Sequence, residues 1–118
     1  MLAFRLRANP AMRIMYDKEG QRIKKGKRIG LGKEQEQRAW LMRKGEKGGF
    51  GVLRCQVRQL GLIRAARRAP KSRIQLLAVQ FDGLLQVRNP QLMAATLASG
   101  IGSAKGMGFG LLSVAPAR

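Results

Sequence analysis

The chain has 118 residues, and its 24 lysines and arginines against 6 aspartates and glutamates give a formal net charge of +18. With no histidine and one cysteine, it cannot build a disulfide framework, a Cys/His zinc site or a histidine acid–base mechanism from its own residues. We therefore expect neither a metal nor a cofactor. Apolar residues make up 45% of the chain, which is enough for a packed core, and this length favours a single domain.

The excess of positive charge predicts a polyanionic partner, because like charges repel one another until counter-charge is bound. Nucleic acid is the first candidate and an anionic membrane the second. A membrane role is less favoured, since basic and apolar residues alternate at strand period instead of occupying opposite helix faces. The opening residues, MLAFRLR, carry two arginines and lack the apolar stretch of a signal peptide, so we expect a cytoplasmic protein without a membrane partner.

The first predicted element is a strand over residues 2–8, where apolar side chains alternate with Arg5 and Arg7. Residues 13–33 are basic and punctuated by glycines, and the basic cluster between positions 22 and 28 contains no acid. For this second segment we expect a solvated loop.

Residues 33–44 consist mostly of straight-chain helix formers and predict a helix that glycines then end. Glu34 and Arg38 are four apart in the favourable order and are expected to pair. Trp40 and Leu41 would face the core.

Residues 50–59 alternate again and predict a second strand, with Leu53, Cys55 and Val57 on its apolar face. Because no base is evident for it, Cys55 is interpreted as a buried structural thiol and not as a nucleophile.

Residues 61–73 predict the tip of a β-hairpin, with Pro70 and Ser72 indicating the turn. A long strand over residues 74–88 follows, with a possible kink at Gly83. The tip contains no acid and five basic residues, which are Arg64, Arg67, Arg68, Lys71 and Arg73.

Asn89 and Pro90 are a favourable helix start, as N-cap and first helical residue, and the helix is expected to run to about Ser99. A glycine-rich segment and a final strand over 111–116 complete the chain. This segment is neither a Walker A loop nor a dinucleotide fingerprint, because the required Gly-Lys-Ser/Thr and the following helix are missing. Two interpretations stay open, a loop whose backbone approaches phosphate and a flexible connection.

The predicted order β-α-β-β-α-β is that of the ferredoxin-like α+β fold, with a four-stranded antiparallel sheet and two helices on one face. No aromatic residue falls on the opposite face of the strands, so phosphate contacts to structured RNA are favoured over base stacking. That face would present polar and basic side chains, namely Arg5, Arg7, Arg54, Gln56, Arg58 and Gln86.

The glycine-rich segment and final strand, GIGSAKGMGFGLLSVAP (100–116), closely resemble the C-terminal signature of RAMP-type CRISPR repeat endoribonucleases. The best match is the CasE family, which processes CRISPR RNA in type I-E systems and remains in the Cascade complex. Further stretches resemble the family in the same order, namely FRLRANPAMR (4–13), GKRIGL (26–31), AWLMRKGEKGGF (39–50) and VQFDGLLQVRNP (79–90).

The resemblance implies two ferredoxin-like domains in tandem, of which residues 1–118 would be the second, an RNA-binding domain. The nucleolytic centre, typically a Tyr and a His, would lie in a first domain absent from this chain, and would cut the repeat RNA at the base of its hairpin without a metal. Other Cascade subunits would be partners.

The resemblance also implies positions of RNA contact. The predicted hairpin would enter the groove of the repeat stem-loop, through Arg64, Arg67, Arg68, Lys71 and Arg73. A basic surface nearby would include Arg5, Arg7 and Arg13. The glycine loop would lie beside the RNA and the interdomain cleft, and consists of Gly100, Gly102, Lys105, Gly106, Gly108 and Gly110.

Three functions follow as hypotheses. The chain is the stem-loop-binding domain of a repeat-processing subunit, a ribonuclease by itself, or a generic scaffold protein for structured RNA. The second requires a base for the RNA 2′-OH, which without histidine would have to be a strongly shifted lysine or tyrosine, with Lys105 and the arginines as sources of positive charge.

Overall fold

The computed structural model describes residues 1–16, 19–66, 73–102, 105 and 108–117. In chain order the elements are β1 (Leu2–Ala8), β2 (Ala11–Tyr16), β3 (Arg22–Gly30), α1 (Glu34–Gly48), β4 (Phe50–Ala66), β5 (Arg73–Val87), α2 (Pro90–Ser99) and β6 (Leu112–Pro116).

Strands β4, β5, β1 and β6 form, in that order, a four-stranded sheet in which each neighbouring pair is antiparallel. Strand β1 runs through the middle, where Leu6 lies opposite both Phe81 of β5 and Leu112 of β6. Apart from β2 and β3, the elements follow the order β-α-β-β-α-β. The predicted ferredoxin-like α+β fold is therefore confirmed.

One cluster of buried side chains joins both helices to the same face of the sheet. Phe4 and Leu6 of β1 are buried together with Trp40 of α1 and Met93 of α2. Trp40 also stacks on Phe81 of β5, with ring centroids 6.0 Å apart. Within the described ranges, neither helix is long and apolar enough to cross a membrane.

Helix α1 presents the predicted face to the core, with Trp40 and Leu41 buried. The predicted pair also forms, with Arg38 Nη2 lying 3.0 Å from Glu34 Oε1.

Helix α1 continues about one turn past the end predicted at Lys44. It passes through Gly45 and Gly48, because these glycines permit close contact with neighbouring elements. A Cβ at Gly48 would lie 2.7 Å from the hydroxyl oxygen of Thr96 on α2. Gly49, with a φ of 85°, caps the helix.

A pair of side-chain amides, a buried one on α1 and an exposed one on β4, connects helix α1 to strand β4. The side chain of Gln37 is fully buried, and its Nε2 donates to the carbonyl oxygen of Leu31 at 2.8 Å. The same amide exchanges hydrogen bonds with the side-chain amide of Gln59. These bonds offset the unfavourable transfer of a polar side chain into the core.

The loop expected over residues 13–33 was a wrong prediction, because β2 and β3 form a separate two-stranded antiparallel sheet there. Its pairing runs from Ala11 opposite Gly30 to Tyr16 opposite Arg22. The hairpin is fixed to the main body where Leu31 N donates to the Pro10 carbonyl oxygen at 2.9 Å.

Strand β4 contains two register shifts against β5, between Val52 and Arg54 and between Gln59 and Gly61. Because of the first shift, the predicted position of Leu53 on the apolar face is wrong. Leu53 does not share the apolar face with Cys55, because the bulge turns it outward and leaves it 50% exposed.

The outer edge of β4 is met by a side chain of α1. Arg38 Nη1 donates to the carbonyl oxygen of Cys55 at 2.7 Å. Because β4 is the last strand of the sheet on this side, its outward-facing backbone groups have no partner strand, and Arg38 supplies a side-chain donor at this edge.

The strands β4 and β5 extend beyond the rest of the sheet. The last β1–β5 pair is Ala8 with Val79, whereas β4–β5 pairing continues to Ala66 opposite Arg73. We call residues 61–66 and 73–78 the ribbon. The predicted hairpin is thereby confirmed up to its last described pair, and the predicted turn lies outside the described residues.

Candidate nucleic-acid interface

The sheet face opposite the helices, which we call the open face, is polar and basic, as predicted. Because Phe4 and Leu6 point into the core, Arg5 and Arg7 point to the open face, and both are exposed. The strand register places side chains on this face in adjacent rows. One row contains Arg5, Asp82 and Gln56, and the next contains Arg7, Gln80 and Arg58.

Arg5 is held by the acidic side chain of its own row. Its Nε lies 2.6 Å from Asp82 Oδ1, and Gln80 Nε2 donates to the other carboxylate oxygen at 2.8 Å. Partial burial raises the pKa of the Asp82 carboxyl, but the hydrogen bonds from Arg5 and Gln80 and the charges of Arg5 and Arg58 outweigh it and hold that pKa below its ordinary value. Asp82 is therefore ionised at neutral pH and fixes the guanidinium of Arg5.

Arg7 is held differently, by an aromatic ring. Its guanidinium carbon lies 5.2 Å from the ring centroid of Phe109, in cation–π geometry. Phe109 is 4% exposed and packs in a second apolar cluster with Leu76, Ala78 and Ile63, at the root of the ribbon. Phe109 was not among the predicted site residues, because its only signal in the sequence is one large apolar side chain between two glycines.

The described residues 100–102 and 108–110 of the glycine-rich segment pack against the body of the domain. Gly110 N donates to the Arg7 carbonyl oxygen at 2.7 Å, and Ile101 N donates to the Gly110 carbonyl oxygen at 2.8 Å. Gly102 and Gly110 have φ near +85°, and a Cβ would lie 2.8 Å from Trp40 Cζ2 at the first and 2.5 Å from the Ile101 carbonyl oxygen at the second. These glycines thus serve close packing of the segment.

Other members of the predicted glycine loop differ in their surroundings. Gly100 also has a positive φ of 82°, and a Cβ there would lie 2.9 Å from the Gly110 carbonyl oxygen. Gly108, with a φ of 86°, would present its Cβ to open space. Lys105 is exposed, whereas Gly106 lies outside the described residues.

The structure brings part of the predicted RNA-binding set together. Arg5 and Arg7 share the open face, and Arg64 and Arg73 lie on the two arms of the ribbon. Arg13 lies on strand β2 of the separate two-stranded sheet, opposite Arg28 of β3. Three predicted hairpin residues are outside the described residues, namely Arg67, Arg68 and Lys71.

The family profile with the description "CRISPR associated protein" matches residues 1–116. The chain belongs to this family.

Two curated relatives match nearly all of the chain. It is 39% identical over 125 residues to the CRISPR-associated endoribonuclease Cse3 of Thermus thermophilus, covering 98% of this chain and 56% of the relative. It is 36% identical over 119 residues to the CRISPR system Cascade subunit CasE of Escherichia coli, covering 98% of this chain and 58% of the relative. The chain therefore spans little more than half the length of these relatives.

Solved structures agree with the same assignment. A structure of CRISPR endoribonuclease Cse3 bound to a 19-nucleotide RNA matches with a TM-score of 0.80 at 37% identity, over 98% of this chain and 56% of that one. The crystal structure of Cas6e from E. coli matches with a TM-score of 0.77 at 35% identity, over 98% and 60%. The resemblance to the CasE family stated from the sequence is confirmed.

Cys55, predicted as a buried structural thiol, is only partly buried. It packs against the core cluster, and its Sγ donates to the Gln56 carbonyl oxygen at 3.4 Å. Burial raises the pKa of the thiol, with a smaller opposing effect from Arg38. Across the described ranges, no group of three histidine, cysteine, aspartate or glutamate side chains is arranged to hold a metal ion.

Proposed function

We propose that the chain binds the stem-loop of a CRISPR repeat RNA and acts as the RNA-binding part of a repeat-processing subunit of a Cascade-type complex. The observation that carries this proposal is the match over 98% of the chain to Cse3 bound to a 19-nucleotide RNA, with a TM-score of 0.80. The net charge of +18 supports a polyanionic ligand independently of that match.

The ribbon and the open face supply two kinds of contact for such an RNA. A two-stranded ribbon is thin enough to lie against the narrow major groove of an A-form stem, where phosphates border the groove. The arginines of the open face continue the positive surface from the ribbon root at Arg7. Binding is therefore expected to depend on charge and on the shape of the RNA.

We further propose that this chain binds RNA and does not itself supply the groups that cut it. Cleavage without a metal needs a base for the attacking 2′-OH and an acid for the leaving oxygen. Since the chain contains no histidine, we assign that chemistry to the separate catalytic domain that the family resemblance implies. The site of action would be the cytoplasm, and other Cascade subunits would be its protein partners.

A second function has one observation in its favour. The charge of +18 would retain many structured RNAs regardless of sequence, as expected of a generic RNA scaffold protein. The two functions differ in specificity, which can be measured.

The test is a binding series with three labelled nucleic acids at two salt concentrations. The purified chain is titrated into the 19-nucleotide RNA of the kind bound by Cse3, a scrambled hairpin of equal length and a DNA duplex. Neutralising about 6–10 phosphates predicts a loss of affinity of about 10³–10⁵ between about 50 and 200 mM salt. We expect preference for the repeat hairpin.

Each sample is also run under denaturing conditions to detect cleavage. Intact RNA agrees with a binding domain, whereas a cut at the stem base would contradict the assignment of catalysis to another domain. Equal retention of all three nucleic acids would favour the generic scaffold. An affinity that does not change with salt would contradict both functions.

A further inference from the structure

We propose that Phe109 is a positioning residue that fixes Arg7 for contact with the phosphate backbone of bound RNA at the root of the ribbon. This inference rests on the proposed function, because it concerns the same RNA-binding surface. It assigns a role to a buried side chain of the glycine-rich segment.

The Phe109 ring is itself fixed by packing. It is 4% exposed, with Leu76 and Ala78 of β5 and Ile63 of β4 around it. Leu76 and Ile63 lie directly opposite each other in the ribbon. The ring therefore contacts both arms of the ribbon where they leave the sheet, and it is too buried to serve as a platform for stacking a base.

Arg7 makes two contacts with adjacent residues of the same segment. Its guanidinium lies 5.2 Å from the Phe109 ring centroid, and its carbonyl oxygen accepts a hydrogen bond from Gly110 N at 2.7 Å. The backbone of strand β1 and the position of its side chain are thus fixed together. An arginine whose rotamers are already restricted loses less conformational entropy when it binds phosphate.

The position of Arg7 suits a contact shared with the ribbon. It lies opposite Gln80, one residue inside the last β1–β5 pair, Ala8 with Val79. A phosphate backbone of RNA that follows the ribbon toward the sheet would reach Arg7 before Arg5. Arg5 differs in being held by Asp82, which makes it a matched control on the same strand.

The experiment is a double-mutant cycle on affinity for the 19-nucleotide repeat RNA, using the full chain. Phe109→Leu removes the ring and keeps an apolar side chain, whereas Phe109→Tyr keeps the ring. Phe109→Leu and Arg7→Ala are measured singly and together, and Phe109→Leu is also combined with Arg5→Ala. Thermal melting gives the folded fraction of each variant, so that affinities refer to folded protein.

We expect Phe109→Leu to weaken binding about two- to fivefold, the range of a solvent-exposed cation–π contact. Phe109→Tyr should retain most of the affinity. Combining Phe109→Leu with Arg7→Ala should weaken binding no further than Arg7→Ala does, whereas with Arg5→Ala the two factors should multiply. In NMR spectra of the RNA-free protein, the Arg7 Nε–H resonance should lose its ring-current shift in Phe109→Leu and keep it in Phe109→Tyr.

A merely structural role predicts a different result. The RNA affinity of folded Phe109→Leu would then equal that of the wild type, or its loss of affinity would multiply with that of Arg7→Ala. Either outcome overturns the proposal. If the wild-type chain retains no RNA, the proposed function fails and this inference fails with it. Wild-type binding without coupling between Phe109 and Arg7 overturns this inference alone.

Discussion

Single glycines of the glycine-rich segment differ in what they do, although the sequence presents them alike. Gly102 faces the indole of Trp40 at a distance that leaves no room for a Cβ, whereas Gly108 faces open space. Both have φ above +80°. The two positions therefore separate the effect of backbone conformation from the effect of close packing.

We predict that Gly102→Ala destabilises the fold more than Gly108→Ala does. A left-handed conformation costs a non-glycine residue about 1–2 kcal/mol at either position. Gly102→Ala adds overlap with Trp40, for a total of about 2–4 kcal/mol. Urea unfolding of both variants measures the difference, and equal losses would contradict the assigned packing role of Gly102.

The Arg5–Asp82 pair predicts an acid-dependent contribution to stability. Because folding lowers the pKa of Asp82, the folded state binds this proton less readily than the unfolded state does. Its contribution is present above the unfolded pKa and is lost as the pH falls through the folded pKa.

In Asp82→Asn this part of the pH dependence should disappear. The wild type should lose more stability than Asp82→Asn as the pH falls below about 4 in urea titrations. Glu46→Gln, which removes an exposed acid of α1, is the control and should retain the wild-type slope. Parallel curves for the wild type and Asp82→Asn would contradict the prediction.

At the scale of elements, helix α1 is connected to strand β4 through the amides of Gln37 and Gln59. Gln37→Met preserves volume but leaves the buried Leu31 carbonyl oxygen without its donor. We predict a loss of about 1–3 kcal/mol in the free energy of unfolding.

The control for Gln37 is Gln56→Met, on the open face, which should change stability by less than about 0.5 kcal/mol. In the double variant Gln37→Met/Gln59→Met, the loss should be smaller than the sum of the single losses, because neither amide is then left unpaired. Additive losses would contradict a direct pairing.

Elements that bury one face were predictable from the sequence, since apolar alternation marks β1, β4 and β5 directly. The β2–β3 hairpin was not, because a separate two-stranded sheet imposes no alternation on a basic, glycine-containing sequence. Leu53 was misassigned because a bulge shifts the alternation by one residue. In the candidate site, strand period predicted Arg5 and Arg7, but a lone Phe109 has no period from which to infer its contact.

At the scale of the whole molecule, a charge of +18 on 118 residues opposes folding by self-repulsion. We predict that the melting temperature of the free chain rises between about 50 and 300 mM NaCl, because the shorter screening length weakens that repulsion. With the 19-nucleotide RNA bound, the salt effect should reverse, since salt releases the RNA. Thermal melts with and without RNA measure both slopes, and equal slopes would contradict this explanation.

The outer edge of β4 has a consequence for self-association of the protein. A strand of 17 residues at the border of a sheet is normally a template on which another chain can add. Here two bulges divide the edge into short segments, and Arg38 covers the Cys55 carbonyl between them. We therefore expect that concentrated solutions of the protein do not form fibres by edge-to-edge pairing of their sheets through this strand.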